Sequence, residues 1–259
     1  MNDTSELTLG LNAIYNGFGG TDKASGTFWH KAKSIHPEIK DKFYTSFTTA
    51  AQRLIQETYI TCLSEFCPKD GLGKLSMWRA YGFPNGVALI MDREKILSNT
   101  TTVDITTYPV FYTERGTGFC KIIPEIINGI VDVTDKFKEF NIDVVVAALI
   151  DLCFHLAICI KDSNFVEEDE WRAVYRPDVY SFETTKYETM IIGGTPQLVR
   201  KLELGDNSNI RLKDIIKKVI IGPTEHPEIS RDAFVHLLRE EGFEHPELKV
   251  EIARIPFRG

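Results

Sequence analysis

Cysteine is scarce in this chain: Cys62, Cys67, Cys120, Cys153 and Cys159 are the only five among 259 residues. An odd count in a chain this long does not suggest a disulfide framework. No second His/Cys pair at zinc spacing follows Cys62 and Cys67, so buried structural thiols are expected rather than metal ligands. Proline-, glycine- or serine-rich linkers are missing too, as is any internal repeat. A single domain spanning residues 1–259 is therefore expected. The opening "MNDTSELTLG" has no basic-then-apolar pattern of a signal peptide, and a reduced, cytoplasmic setting is the simplest expectation. Positive charge is in deficit, with 30 Lys and Arg against 37 Asp and Glu and a formal net charge of -7. A protein whose main task is gripping a nucleic-acid backbone is usually basic, so this balance argues against that task, although a local basic stripe would suffice for it. The six histidines (His30, His36, His155, His226, His236 and His245) form no H-E-x-x-H arrangement, and none adjoins a G-x-S-x-G elbow. The chain thus offers no case for a zinc protease or a serine hydrolase.

What is present is an ordinary globular composition, 43% hydrophobic and 26% charged, in a chain long enough to bury a sizeable core. The longest apolar run, "IDVVVAALIDLCFHLAICI" from Ile142, is interrupted by Asp143, Asp151 and His155. Aspartate is expensive at a bilayer centre, so a helix buried within the protein is expected and no membrane partner. His155 reads as a satisfied core residue. Ala32, Ile35, Ile39, Phe43, Phe47, Ala50 and Leu54 recur at three- and four-residue steps, which predicts a helix over residues 31–56. Phe119, Ile122, Ile123, Ile126, Ile127 and Ile130 make a second helical stripe. Strands are expected at "TYITCLSEF", "GVALIMD", "TTVDITTYPVFYT", "KKVIIGP" and "LKVEIARIPF", with a weaker one at "YETMIIGG". A short helix or turn at "LSMWRAYG" closes on Gly82, and an amphipathic helix covers residues 230–241. Helices cluster at the start and middle without a regular βαβα rhythm. The fold class this predicts is α+β, with a mixed or antiparallel sheet and a helical insertion at about 119–162.

Three places can carry chemistry. The first is "FVEEDEWRAVYRP", read as a strand. Alternation then puts Glu168, Glu170, Arg172 and Val174 on one face and Asp169, Trp171, Ala173 and Tyr175 on the other. The second set makes a core face, which leaves Glu168, Glu170 and Arg172 over a groove or solvent. Paired carboxylates on one face raise one pKa or are held by a cation, and a carboxylate beside a sugar ring can stabilise an oxocarbenium-like transition state. The plain alternative is a solvated acidic turn with a glutamate paired to Arg172.

The second place is "CLSEFCPKDGLGKLSMWRAYGFPNG". Ser64 ends a strand, and Ser76, Trp78, Arg79 and Tyr81 form a compact set. Trp78 or Tyr81 can stack on a base or nicotinamide while Arg79 holds phosphate. The alternative makes Trp78 and Tyr81 core anchors and Ser76 a helix cap. The third, "KKVIIGPTEHPEISR", could present backbone N–H groups to an anion but lacks the P-loop and Rossmann glycines, and reads as a structural turn.

Taken in order, "MNDTSEL", "CLSE", "LSMWRAYG…GVAL", "FVEEDEWRAVYRP", "VIIGP" and "ARIPFR" resemble a bacterial family, domain-of-unknown-function family twenty-nine seventy-one, found in prophages and defence islands. Its most specific elements here are Ser-Met-Trp-Arg-x-Tyr and Glu-x-Glu-Trp-Arg. A weaker resemblance is to ADP-ribosyltransferases, which place a Glu-x-Glu pair on a sheet strand beside the NAD site and a serine at the end of an earlier strand. It implies an ADP-ribosyltransferase-like fold, with NAD as co-substrate and no metal. Glu170 would stabilise the ribosyl cation, Glu168 would orient a protein or RNA acceptor, and Ser64 or Ser76 would stand for the serine. Both resemblances lead one to expect a short strand, with a basic residue able to hold NAD, before the element in which Met1 falls. Three functions stay open: an NAD-consuming defence or toxin effector, a non-enzymatic sensor or partner-binding domain serving the same defence locus, and a nuclease holding a divalent metal on the acidic pair.

Overall fold

The computed structural model describes residues 4–20, 23–67, 71–82, 85–99, 105–114, 118–176, 185–192, 194–202, 211–253 and 255. It is an α+β structure with two compact units, each assembled from two separate chain segments. Unit 1 is Met1–Cys62 with Tyr108–Asp178, and unit 2 is Leu63–Thr107 with Val179–Gly259.

Unit 1 opens with α1 (Thr4–Gly19), α2 (Lys23–Ile35) and α3 (Ile39–Glu57), followed by β1 (Tyr59–Ser64), along which the chain leaves the unit. The single helix expected over 31–56 is therefore two helices. The break falls at His36-Pro37, because proline lacks a helical donor and pushes the residue before it out of the α region. Helix α1 is an element beyond those expected. Leu7, Leu11, Ile14 and Phe18 form its buried stripe. Between β1 and the later helices, unit 2 takes the chain through α4 (Leu75–Tyr81), β2 (Val87–Met91) and α5 (Arg93–Asn99). Strand β3 (Thr106–Pro109) leads back to unit 1, which continues with β4 (Phe111–Thr113), α6 (Gly118–Val133), α7 (Ile142–Cys159), β5 (Ile160–Asp162) and β6 (Glu170–Tyr175). Strand β6 is central in a sheet ordered β1-β6-β3, and β4 pairs parallel with β5.

The core of unit 1 is helical. Phe18, Phe28, Trp29, Phe43 and Phe47 interlock, with Phe18 and Phe28 edge to face at 5.6 Å between centroids. Such pairs add about 0.5–1.5 kcal/mol beyond area burial. The segment read as an insertion, α6–α7, packs on α1, α2 and α3. Gly10 permits the closest approach of α1 to α7: a Cβ there would lie 2.3 Å from the Ala157 carbonyl oxygen. Helix α7 is long and apolar enough to cross a membrane by length and composition. Here Val145, Val146, Leu149, Ile150, Cys153, Phe154, Ala157 and Ile158 lie in the core. Its acids meet cations, Asp143 with Lys42 at 2.8 Å and Asp151 with Arg176 at 2.7 Å.

Unit 2 closes with β7 (Thr185–Ile192), β8 (Thr195–Leu202), α8 (Leu212–Ile215), β9 (Ile216–Ile221), α9 (Pro227–Glu240) and β10 (Val250–Ile252). Strand β9 is central in the order β10-β9-β2, parallel to β10 and antiparallel to β2, so the expected mixed sheet is present. The last strand is shorter than the sequence pattern suggests, ending at Ile252. Residues 101–104 and 256–259, parts of two expected strands, lie outside the described residues.

Candidate functional site

The acidic stretch folds differently from the expected strand. Ser163–Glu168 form a 3-10 turn, Asp169 caps it in the left-handed region at φ 42°, and β6 begins only at Glu170. Glu168 is therefore not on the strand. The face assignment also reverses, except at Tyr175, which is buried as expected. Glu170, Arg172 and Val174 are buried, whereas Trp171 and Ala173 are half-buried. Arg172 is fully enclosed, with none of its surface exposed. Burying an ion costs several kcal/mol unless charges and hydrogen bonds compensate it, so the compensation explains the reversal.

The compensation is a closed ring of charges. Lys161, at the middle of β5, donates to Glu170 Oε2 at 2.5 Å and lies 3.3 Å from Glu6 Oε1. Arg172 Nε donates to Glu170 Oε1 at 2.7 Å, and its Nη2 donates to Glu6 Oε2 at 2.5 Å. Each carboxylate thus bridges both cations. Glu168 adds a third acid on Lys161 at 2.6 Å, and the Phe165 ring lies 5.0 Å from the same ammonium, within cation–π range. The fold places these charges where helix ends favour them. Arg172 Nη1 donates to the Ile158 carbonyl near the C-terminus of α7, and Glu6 lies in the first turn of α1. Cations favour helix C-termini and anions N-termini.

The backbone around Glu170 is fixed as well. Its N–H donates to Tyr112 Oη at 2.8 Å, and its carbonyl accepts from Val110 N–H at 3.0 Å. Burial alone would raise the Glu170 carboxyl, but hydrogen bonds from the Cys62 thiol, Lys161 and Arg172 outweigh it and hold the pKa at about 2. Cys62 is an exposed residue whose thiol is turned toward Glu170. Desolvation and the Glu170 carboxylate push that thiol up to about 12. The Lys161 ammonium is lowered by burial and raised further by Glu168 and Glu170, for a net rise. All of these groups favour the ion-paired form with a protonated, unreactive thiol.

The other residues read as a cofactor site belong to unit 2. Ser64 is exposed at the end of β1. Trp78 is buried and its Nε1–H donates to the Leu72 carbonyl at 3.0 Å. A Cβ on Gly82 or Gly222 would lie 2.7 or 2.5 Å from the Trp78 ring, so those glycines make room for it. Arg79 and Tyr81 are exposed on α4, and Ser76 is half-buried. Lys74 rather than Ser76 occupies the cap position of that helix, without a side-chain cap bond. At the third place, Gly222 N–H donates to the Gly86 carbonyl at 2.9 Å.

Unit 1 also carries a cleft of about 410 Å³ between α3 and α7, lined by Arg53, Thr58, Asp151, Phe154 and Arg176 among others. Glu168 and Glu170 are not among its lining residues. Among the described residues, no group of three or more His, Cys, Asp or Glu side chains is arranged to hold a metal ion. The sequence reading missed Lys161 and Glu6. Lys161 was detectable as the cation nearest the acids, immediately after the apolar helix. Glu6 had no local signal, being 166 positions from Arg172.

Comparison with known proteins finds a family model that matches part of the chain. Residues 77–173 match the family model described as "Protein of unknown function (DUF2971)". The match begins inside the Ser-Met-Trp-Arg-x-Tyr element and ends just after Glu-x-Glu-Trp-Arg, so it supports the family resemblance drawn from those elements. No curated protein and no solved structure matches the chain.

Proposed function

We propose that this protein is a non-enzymatic sensor or partner-binding module in which Glu168 and Glu170 are structural charges. The observation that supports this reading is the commitment of Glu170: one oxygen is held by Arg172 and the other by Lys161, in a buried ring closed by Glu6. A carboxylate that stabilises a ribosyl cation has to meet that cation directly. Glu170 would have to give up both buried cations to do so, leaving Arg172 with Glu6 alone and Lys161 with Glu6 and Glu168; breaking a buried pair costs about 3–5 kcal/mol. The prophage or defence setting, and a protein partner from the same locus, rest on the family resemblance.

The competing reading is an ADP-ribosyltransferase-like effector with NAD as co-substrate. Incubation with labelled NAD, comparing wild type with Glu170→Gln, separates the two. We expect no NAD turnover and no calorimetric heat with NAD for either protein, and a lower melting temperature for Glu170→Gln. NAD consumption by wild type, lost in a Glu170→Gln protein that remains folded, would overturn the proposal in favour of the enzyme.

A further inference from the structure

Strands β7 and β8 form a two-stranded sheet, and among the described residues no third strand joins it. A two-stranded hairpin alone is marginal in water. This one nevertheless exposes large apolar side chains: Ile191 is 75% exposed, Leu198 58%, and Tyr187 51%. The register pairs Tyr187 with Arg200, Thr189 with Leu198 and Ile191 with Pro196. Alternation places these six on one face, where the Arg200 guanidinium lies 3.6 Å from the Tyr187 ring centroid.

Pro196 fixes which backbone groups face outward. Proline has no N–H for a ladder, so within a sheet its nitrogen faces away from the neighbouring strand. Antiparallel pairs alternate between hydrogen-bonded and non-hydrogen-bonded. The Ile191/Pro196 and Thr189/Leu198 pairs are therefore both of the second kind. On β7, Thr189 and Ile191 direct N–H and C=O groups to the outer edge. On β8, the corresponding edge lacks a donor at Pro196.

We propose that β7 pairs antiparallel with β7 of a second copy of this chain, about a two-fold axis, giving a four-stranded sheet ordered β8-β7-β7-β8. The edge is self-complementary. In the register centred on Thr189, Tyr187 meets Ile191 of the other copy, an aromatic–β-branched pair of the kind that stabilises sheets. Sliding to a centre on Glu188 would oppose two like charges, which is destabilising. Glu188 pairs instead with Lys201 of its own hairpin. An isologous contact closes on itself, and Pro196 prevents a further strand from adding to the far edge. The assembly ends at a dimer. This surface belongs to unit 2 and does not depend on the role given to the charge ring.

Sedimentation equilibrium of the full chain tests the proposal, with wild type compared to Thr189→Pro and Ile191→Lys. Thr189→Pro removes an outward donor that the hairpin itself does not use. Ile191→Lys changes only an exposed side chain and gives the same reading if the proline variant does not fold. We expect twice the chain mass for wild type and the chain mass for both variants, with circular dichroism unchanged. Wild type sedimenting at the chain mass at every concentration would overturn the proposal. So would a dimer that survives in folded Ile191→Lys, or wild-type assemblies larger than a dimer.

Discussion

Strand β6 in unit 1 and the β7–β8 hairpin in unit 2 invert the usual arrangement in opposite ways. The first buries two ions, Glu170 and Arg172, with at most 4% of either residue exposed. The second leaves Ile191 three-quarters exposed. The difference shows that side-chain type alone does not decide burial. What decides it is whether partners are available. Strand β6 meets Lys161 and Glu6, which satisfy its charges, whereas among the described residues the hairpin packs mainly on itself. A buried salt bridge is weak ground for stability, because well-packed apolar residues can replace one without loss. Removal of a single member is a different matter, since it leaves the remaining buried charges out of balance, each with one partner fewer.

The comparison can be broken most strongly at Arg172. Arg172→Ala leaves Glu6 and Glu170 facing each other beside one remaining cation, and we expect it to lower unfolding free energy by about 3–5 kcal/mol in urea denaturation. Gly10→Ala comes next. It forces a methyl into the Ala157 carbonyl, and overpacking of this kind costs about 1–3 kcal/mol, measurable as a lower denaturation midpoint. If Gly10→Ala proved more damaging than Arg172→Ala, helix packing rather than charge pairing would dominate unit 1.

Acid gives a third, graded test. The Glu170 carboxyl is depressed from 4.5 to about 2. Its contribution is present above the unfolded-state value and is lost as pH falls through about 2. Wild type is therefore expected to lose stability between about pH 5 and pH 2, and Glu170→Gln should flatten that part of the profile. At the basic end, the Cys62 pKa is raised to about 12, so its contribution is complete below the usual thiol range and declines as pH rises through that range toward 12. The smallest effect on stability is expected in the hairpin. Ile191→Lys should change unfolding free energy by no more than about 0.5 kcal/mol, as exposed substitutions do, while abolishing the dimer.

Much of the fold is legible in the sequence because helical periodicity is local. Ile123, Ile126, Ile127 and Ile130 announce α6, and Phe43, Phe47 and Leu54 announce α3. The proline break before α3 is visible too, but a continuous apolar stripe on both sides of Pro37 hides it. Residues 4–19 carry an equally regular stripe of Leu7, Leu11, Ile14 and Phe18, but Gly10, Gly17 and Gly19 weaken its helical reading. The importance of Glu170 is legible, yet its burial is not. Alternation says which residues share a face. It does not say which face turns inward when cations from distant segments can neutralise acids. Trp78 shows the same limit, since an aromatic residue beside an arginine reads equally well as a stacking platform or as a core anchor. Its hydrogen bond to Leu72 and the two glycines against its ring place it in the core.

The ring around Glu170 also sets an order of events. Glu6 stands near one end of unit 1's chain path and Arg172 near the other, with all of the first segment of unit 2 synthesised between them. Helices α1–α3 emerge from a ribosome long before the strand that completes their unit. Until Arg172 appears, Glu6 has no guanidinium to meet and α1 has no ionic tie to β6. Contacts so distant in sequence carry a large loop-closure entropy and form late. A chain that stops short of β6 lacks both Glu170 and Arg172, and of the ring's cations Glu6 can then meet only Lys161.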